Sequence, residues 1–82
     1  MNIILSRTAQ KSLSAIPAKQ HDRIIDAIQG LCSIPPKGDI KKMQGKSYEY
    51  RLRVGNYRVI YSLENDNNIE ILDIGTRGDV YK

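Results

Sequence analysis

The chain of 82 residues has one cysteine, one histidine, and neither tryptophan nor phenylalanine. A single cysteine excludes an intrachain disulfide, and one cysteine with one histidine cannot supply the ligands of a structural zinc site. We therefore expect no metal and no cofactor. No apolar run approaches the ~20 residues that cross a bilayer, and the N-terminus lacks a signal-peptide pattern. These absences predict a cytoplasmic protein without a membrane partner, built as a single domain over residues 1–82.

Positive charge is concentrated in the middle of the chain. The whole sequence has 13 Lys and Arg against 9 Asp and Glu, a net charge of +4. Residues 37–58 hold seven basic and two acidic side chains, whereas residues 59–82 hold two basic and five acidic ones. All five tyrosines follow residue 47. A basic segment interleaved with tyrosines indicates a polyanionic partner, most of all nucleic acid, and a plain solvated surface is the alternative.

The first half of the chain has the periodicity of one strand and two helices. The apolar run at 2–5 predicts a strand, and Ser6 is placed to cap the helix that follows. Apolar residues three and four apart predict helices over 7–16 and from Pro17 to the prolines at 35 and 36. Cys32 continues the apolar stripe of the second helix, so we expect it in the core. We expect His21 on the exposed side of that helix, without a catalytic role.

The second half alternates with the period of a strand. Residues 37–47 are polar and contain glycine, which predicts a loop. Alternation over 48–54 and 57–63 flanks Gly55-Asn56, a strong two-residue hairpin turn, and a last strand is expected over 69–74. The order β-α-α-β-β-β predicts an α+β domain in which a helical hairpin packs on one face of an antiparallel sheet.

The two-residue turn sets the register of the hairpin. It places Arg53 opposite Arg58, and alternation puts Arg51 on the same face, away from the apolar side. Like charges directly opposite each other are unfavourable, so a fold under no other demand would avoid this pair. Three guanidinium groups on one face suit a phosphate. The alternative is that they pair with Glu49, Asp79 or backbone carbonyls.

The run from Tyr50 to Tyr61 and the segment from Ile74 to Tyr81 together resemble the RelE branch of the RelE/ParE toxin superfamily. The resemblance covers nearly the whole chain. It implies a type II toxin that enters the ribosomal A site and cuts mRNA there, with the ribose 2′-oxygen attacking the adjacent phosphate. It also implies a RelB-like antitoxin as partner. The family's catalytic positions fall on Arg51, Arg58, Arg77 and Tyr81, and we expect RNA contacts from Lys41, Lys42, Lys46 and Arg53.

Two positions depart from the family pattern. Glu49 stands where RelE-like toxins often have lysine, and Thr76 stands where many have histidine. Glu49 is a possible base, ahead of Asp39, but a salt bridge to Arg51 or Arg53 is the role we expect of it. The function alternatives are a ParE-like gyrase inhibitor and a catalytically weak module that binds RNA or antitoxin.

Overall fold

Two helices pack on a five-stranded, mostly antiparallel sheet, which confirms the α+β class. The computed structural model describes residues 2–43, 49–63 and 68–76. The elements in chain order are β1 (Asn2–Leu5), α1 (Arg7–Ser14), α2 (Ala18–Gly30), β2 (Asp39–Lys42), β3 (Glu49–Val54), β4 (Tyr57–Ser62) and β5 (Asn68–Thr76).

The strands lie in the order β1-β5-β4-β3-β2, with β1 parallel to β5 and every other pair antiparallel. The prediction of a loop throughout 37–47 is wrong at 39–42, where β2 forms an edge strand. Ile40 is the one apolar residue of β2 and packs against the core. Charged neighbours are usual on an edge strand, where they discourage pairing with other chains. In the sequence, the same charged residues give β2 the composition of a loop.

The apolar core lies between the helices and one face of the sheet. Burying this apolar surface is the main favourable contribution to folding. Its buried side chains come from α1, α2 and the three inner strands, and they include Ala9, Leu13, Ile24, Ile28, Leu52, Val59, Ile69, Ile71 and Ile74. The opposite face of the inner strands is therefore left for other uses.

Both helix starts follow the sequence signals, but the second helix ends earlier than its apolar stripe suggests. Ser6 caps α1, since its Oγ accepts a hydrogen bond from the Ala9 amide at 3.0 Å. Pro17 is the N-cap of α2, and the helix stops at Gly30, with Leu31 as C-cap. Cys32 lies beyond that cap and is exposed. The prediction of a core cysteine is wrong because the helical spacing ends before residue 32.

Candidate nucleic-acid interface

Three arginines lie on the face of the sheet that the helices leave uncovered. The register pairs Val54 with Tyr57, Leu52 with Val59 and Arg53 with Arg58, as the two-residue turn predicts. Directly paired residues share a face, and residues two apart on a strand share it too. Arg51, Arg53 and Arg58 therefore lie on one side, which we call the Arg face.

Strand β2 adds charged residues to the Arg face that the sequence prediction had assigned to a loop. Lys41 pairs with Arg51, and Asp39 pairs with Arg53. Arg53 thus has a cation opposite it on β4 and a carboxylate opposite it on β2, which offsets part of the repulsion between the arginines. The alternation of Asp39 and Lys41 around the apolar Ile40 is the sequence signal that would have revealed this.

Lys42 alternates to the other face and pairs with Tyr50. It nevertheless lines, with Lys41, Met43 and Arg51, a hollow of about 200 Å³ at the β2 edge of the sheet. Both lysines are exposed. The hollow at this edge therefore has two exposed cations beside a guanidinium, which is a suitable surface for the phosphates of a nucleic acid.

Arg51 holds a desolvated hydrogen-bond donor. Among the residues that the structure describes, its Nε is a buried nitrogen with no hydrogen-bond partner. Ile60, which pairs with Arg51 across the sheet, is only 3% exposed. Leaving a buried donor unpaired costs about 1–3 kcal/mol, so this arginine is held on the sheet at a cost in stability. A phosphate oxygen is the acceptor that suits a guanidinium.

The expected salt bridge of Glu49 is not observed. Within the described part of the chain, no ion pair joins Glu49 to Arg51 or Arg53. The register explains this, because Glu49 pairs with Ser62, whereas Arg51 lies two residues further along the same strand. That spacing is about 7 Å, longer than the distance between paired residues on neighbouring strands. Glu49 lies on the Arg face by alternation and is half-buried.

The C-terminal part of the predicted site lies outside the described residues, as does Lys46. The last strand lies beside the middle one, since β5 pairs with β4. β5 ends at Thr76, which pairs with Tyr57. Arg77 follows directly in the sequence, and neither Arg77 nor Tyr81 is among the described residues.

The described tyrosines, Tyr50, Tyr57 and Tyr61, belong to the core side of the sheet; Tyr48 lies outside the described residues. The rings of Tyr50 and Tyr61 stack with centroids 5.5 Å apart. Burial, and then the neighbouring Tyr50, raises the pKa of Tyr61 to about 12. Such a phenol stays protonated at neutral pH and is no candidate for proton transfer.

His21 lies on α2, on the far side of the sheet from the arginines, where its Nδ1 is 3.6 Å from a carboxylate oxygen of Asp22. Over residues 2–43, 49–63 and 68–76, no three His, Cys, Asp or Glu side chains form a group that could hold a metal ion. In that same part of the chain, no helix is long and apolar enough to span a membrane.

The sequence and the fold place this chain in a class of small toxins. The family model described as the ParE toxin of the type II toxin–antitoxin system parDE matches residues 3–81. The chain belongs to this RelE/ParE family of type II toxin–antitoxin toxins, and its relatives lie on the RelE side. Toxin RelE3 of Methanocaldococcus jannaschii is 36% identical over 73 residues, which cover 84% of this chain and 83% of that protein.

Solved structures agree with this assignment. A chain of the RelB–RelE antitoxin–toxin complex from Methanococcus jannaschii is similar with a TM-score of 0.76 and 32% identity, covering 90% of this chain and 89% of its own. A chain of the RelE–RelB complex from Pyrococcus horikoshii is similar with a TM-score of 0.74 and 28% identity, covering 95% of this chain and 96% of its own. The toxin–antitoxin complex RelBE2 from Mycobacterium tuberculosis shares the fold, with a TM-score of 0.77, 20% identity and coverage of 93% and 96%. The resemblance to RelE-like toxins is thereby confirmed.

Proposed function

We propose that this toxin is a ribosome-dependent endoribonuclease that cuts mRNA in the A site of translating ribosomes in the cytoplasm. The observation that supports this most is the Arg face, where Arg51, Arg53 and Arg58 lie together with Lys41 opposite Arg51. Arg51 also lines the hollow at the β2 edge beside Lys41, and a guanidinium suits a phosphate oxygen. RelE relatives match nearly the whole chain.

The proposed reaction needs no metal. The ribose 2′-oxygen attacks the adjacent phosphorus, the bond from phosphorus to the 5′-oxygen breaks, and a 2′,3′-cyclic phosphate and a 5′-hydroxyl remain. Glu49 accepts the 2′-hydroxyl proton, and Tyr81 donates a proton to the leaving 5′-oxygen. Arg51, Arg58 and Arg77 stabilise the negative charge that grows on the phosphoryl oxygens, because guanidinium stays protonated.

Lys41, on β2, supplies an ammonium group beside Arg51. The neighbouring strand β3 has Glu49 at a position where the family often has lysine. Arg53 holds the RNA backbone on the same face. Lys42 lines the hollow at the edge of the sheet, and Lys46 lies outside the described residues. For these two lysines, contact with RNA phosphates stays a prediction, and it contributes salt-dependent affinity.

Brief expression in bacteria, followed by mapping of 5′ ends on translated messages, tests this function. We expect codon-positioned cuts with the wild-type chain and a loss of about 100-fold with Arg58→Ala, the size of effect seen when one group that stabilises transition-state charge is removed. Lys41→Ala should lower cleavage about tenfold. Lys11→Ala, which removes the same charge from α1, is the matched control. Unchanged cuts with Arg58→Ala would overturn the proposed role of the Arg face.

A second candidate is inhibition of DNA gyrase, favoured by the ParE name of the matching family model. The same expression experiment separates the two functions. Arrest of DNA replication without message cuts would support the gyrase reading. Unaffected growth without message cuts would leave a catalytically weak module that binds RNA or antitoxin, in line with Glu49 and Thr76 at positions where lysine and histidine are frequent.

We also propose a RelB-like antitoxin as partner, because the similar structures are RelB–RelE complexes. A net charge of +4 and an exposed Arg53 suit an acidic, extended antitoxin segment that covers the Arg face or displaces the segment of Tyr81. Cleavage should then vanish in the saturated complex. Cleavage that persists at full antitoxin occupancy would contradict this arrangement.

A further inference from the structure

A cleft of about 290 Å³ lies between α2 and the turn that joins β3 to β4. Its apolar wall is formed by Ile24, which is fully buried, and by Val54. Tyr57 adds a half-buried aromatic ring, and Gln20 and Arg23 line the cleft from the helix. A volume near the lower end of ligand pockets, with a mainly polar lining beside one apolar wall, suits a small ligand that is both planar and polar better than a folded peptide.

The cleft and the Arg face meet at the hairpin turn. A second, smaller hollow of about 50 Å³ is lined by Arg53 and Arg58, and it shares Gly55, Asn56 and Tyr57 with the cleft. A chain of nucleotides bound along the Arg face would therefore reach the cleft by passing over the turn.

The end of β5 gives a second connection. Thr76 pairs with Tyr57 and lines the cleft, and Arg77, a family catalytic position, is the next residue in the sequence. Two residues that line the cleft therefore precede proposed catalytic arginines, Arg58 and Arg77, in the sequence. Helix α2 forms the other wall of the cleft.

We propose that this cleft binds one nucleotide of the RNA, next to the phosphate that is cut, and thereby contributes to the sequence preference of cleavage. The base lies against the ring of Tyr57, as unpaired bases stack on aromatic side chains. The amides of Gln20 and Asn56 carry both donors and acceptors and contact the base edge. Arg23 holds the phosphate on the helix side, as Arg53 does on the other. This inference rests on the proposed nuclease function and gives that site a nucleotide pocket.

Binding is tested without the ribosome, by titrating the isotope-labelled full chain with the four nucleoside monophosphates and, separately, with inorganic phosphate. We expect the side-chain amide signals of Gln20 and Asn56 and the methyl signals of Ile24 to shift, by amounts that differ between bases. Inorganic phosphate should bind at least tenfold more weakly at these signals. Arg23→Gln should weaken nucleotide binding about tenfold, whereas Lys19→Gln, an equal loss of charge on α2 outside the cleft, should not.

Two results would overturn the proposal. If inorganic phosphate binds as tightly as the nucleotides, measured at the signals of the cleft residues, the cleft is a general anion site. Shifts produced there only by an acidic antitoxin peptide would make it a protein-binding site.

The second readout is the codon profile of message cuts in cells. Arg23→Gln should change the ranking of cleaved codons and lower cleavage at the preferred ones, and an unchanged ranking would contradict the proposal while leaving the nuclease function intact. Absence of cuts with the wild-type chain would instead overturn the nuclease function, and base-dependent binding in the cleft would still be measurable.

Discussion

Replacing Ser6 with alanine removes two hydrogen bonds at the junction of β1 and α1. The Ser6 Oγ accepts from the Ala9 amide at 3.0 Å and donates to the Leu72 carbonyl at 2.8 Å, so it both caps the helix and ties it to β5. Losing an N-cap costs ~1 kcal/mol, and losing a part-buried hydrogen bond costs about as much again. We expect Ser6→Ala to lower the free energy of unfolding by about 2 kcal/mol.

Urea unfolding followed by circular dichroism measures this change, and the melting temperature should fall by about 10 °C for a domain of this size. Ser14→Ala is the matched control on the same helix. Its Oγ donates to the Lys11 carbonyl in an exposed position, so the change should stay within about 0.5 kcal/mol. Equal effects of the two substitutions would show that the Ser6 hydrogen bonds do not stabilise the junction.

Three further outcomes are expected. Burial raises the pKa of Tyr61 to about 12, so the protonated phenol stabilises the folded state. The free energy of unfolding should therefore keep its full value below pH 10 and fall by about 2 kcal/mol between pH 10 and 12. Tyr61→Phe should remove this pH dependence in alkaline unfolding curves. Gly38→Ala should lower the free energy of unfolding in urea by about 2 kcal/mol, more than Gly55→Ala. Gly38 has a φ of 124°, and a Cβ there would lie 2.6 Å from Cδ1 of the buried Leu52, whereas Gly55 has open space around it. Arg53→Gln should lower the slope of log affinity for single-stranded RNA against log salt by about 0.7 in anisotropy titrations, and an unchanged slope would remove Arg53 from the RNA path.

Local chemistry was enough to predict the part of the site that lies on the β3–β4 hairpin. A two-residue turn at Gly55-Asn56 leaves only one register in which the apolar residues share a face, so the pairing of Arg53 with Arg58 follows from the sequence. The cap at Ser6 could be predicted for the same reason, since it depends on residues three apart.

The relative positions of segments that are distant in the sequence could not be predicted in this way. β2 has a single apolar residue and borders solvent, so nothing local distinguishes Lys41 in a strand from a lysine in a loop. The missing ion pair of Glu49 depends on which residue of β4 lies opposite it. The cleft depends on where α2 crosses the sheet, which brings Gln20 and Arg23 to a turn more than 30 residues away in sequence.

In the proposed reaction, the Arg face directs attack of a ribose 2′-oxygen on the neighbouring phosphate. It is tested most directly with purified toxin, ribosomes and a defined message that carries one 2′-deoxynucleotide on the 5′ side of the cut. We expect a 2′,3′-cyclic phosphate and a 5′-hydroxyl on the all-ribose message, and no cut at the deoxy position. Cleavage that proceeds equally well at the deoxy position would contradict it.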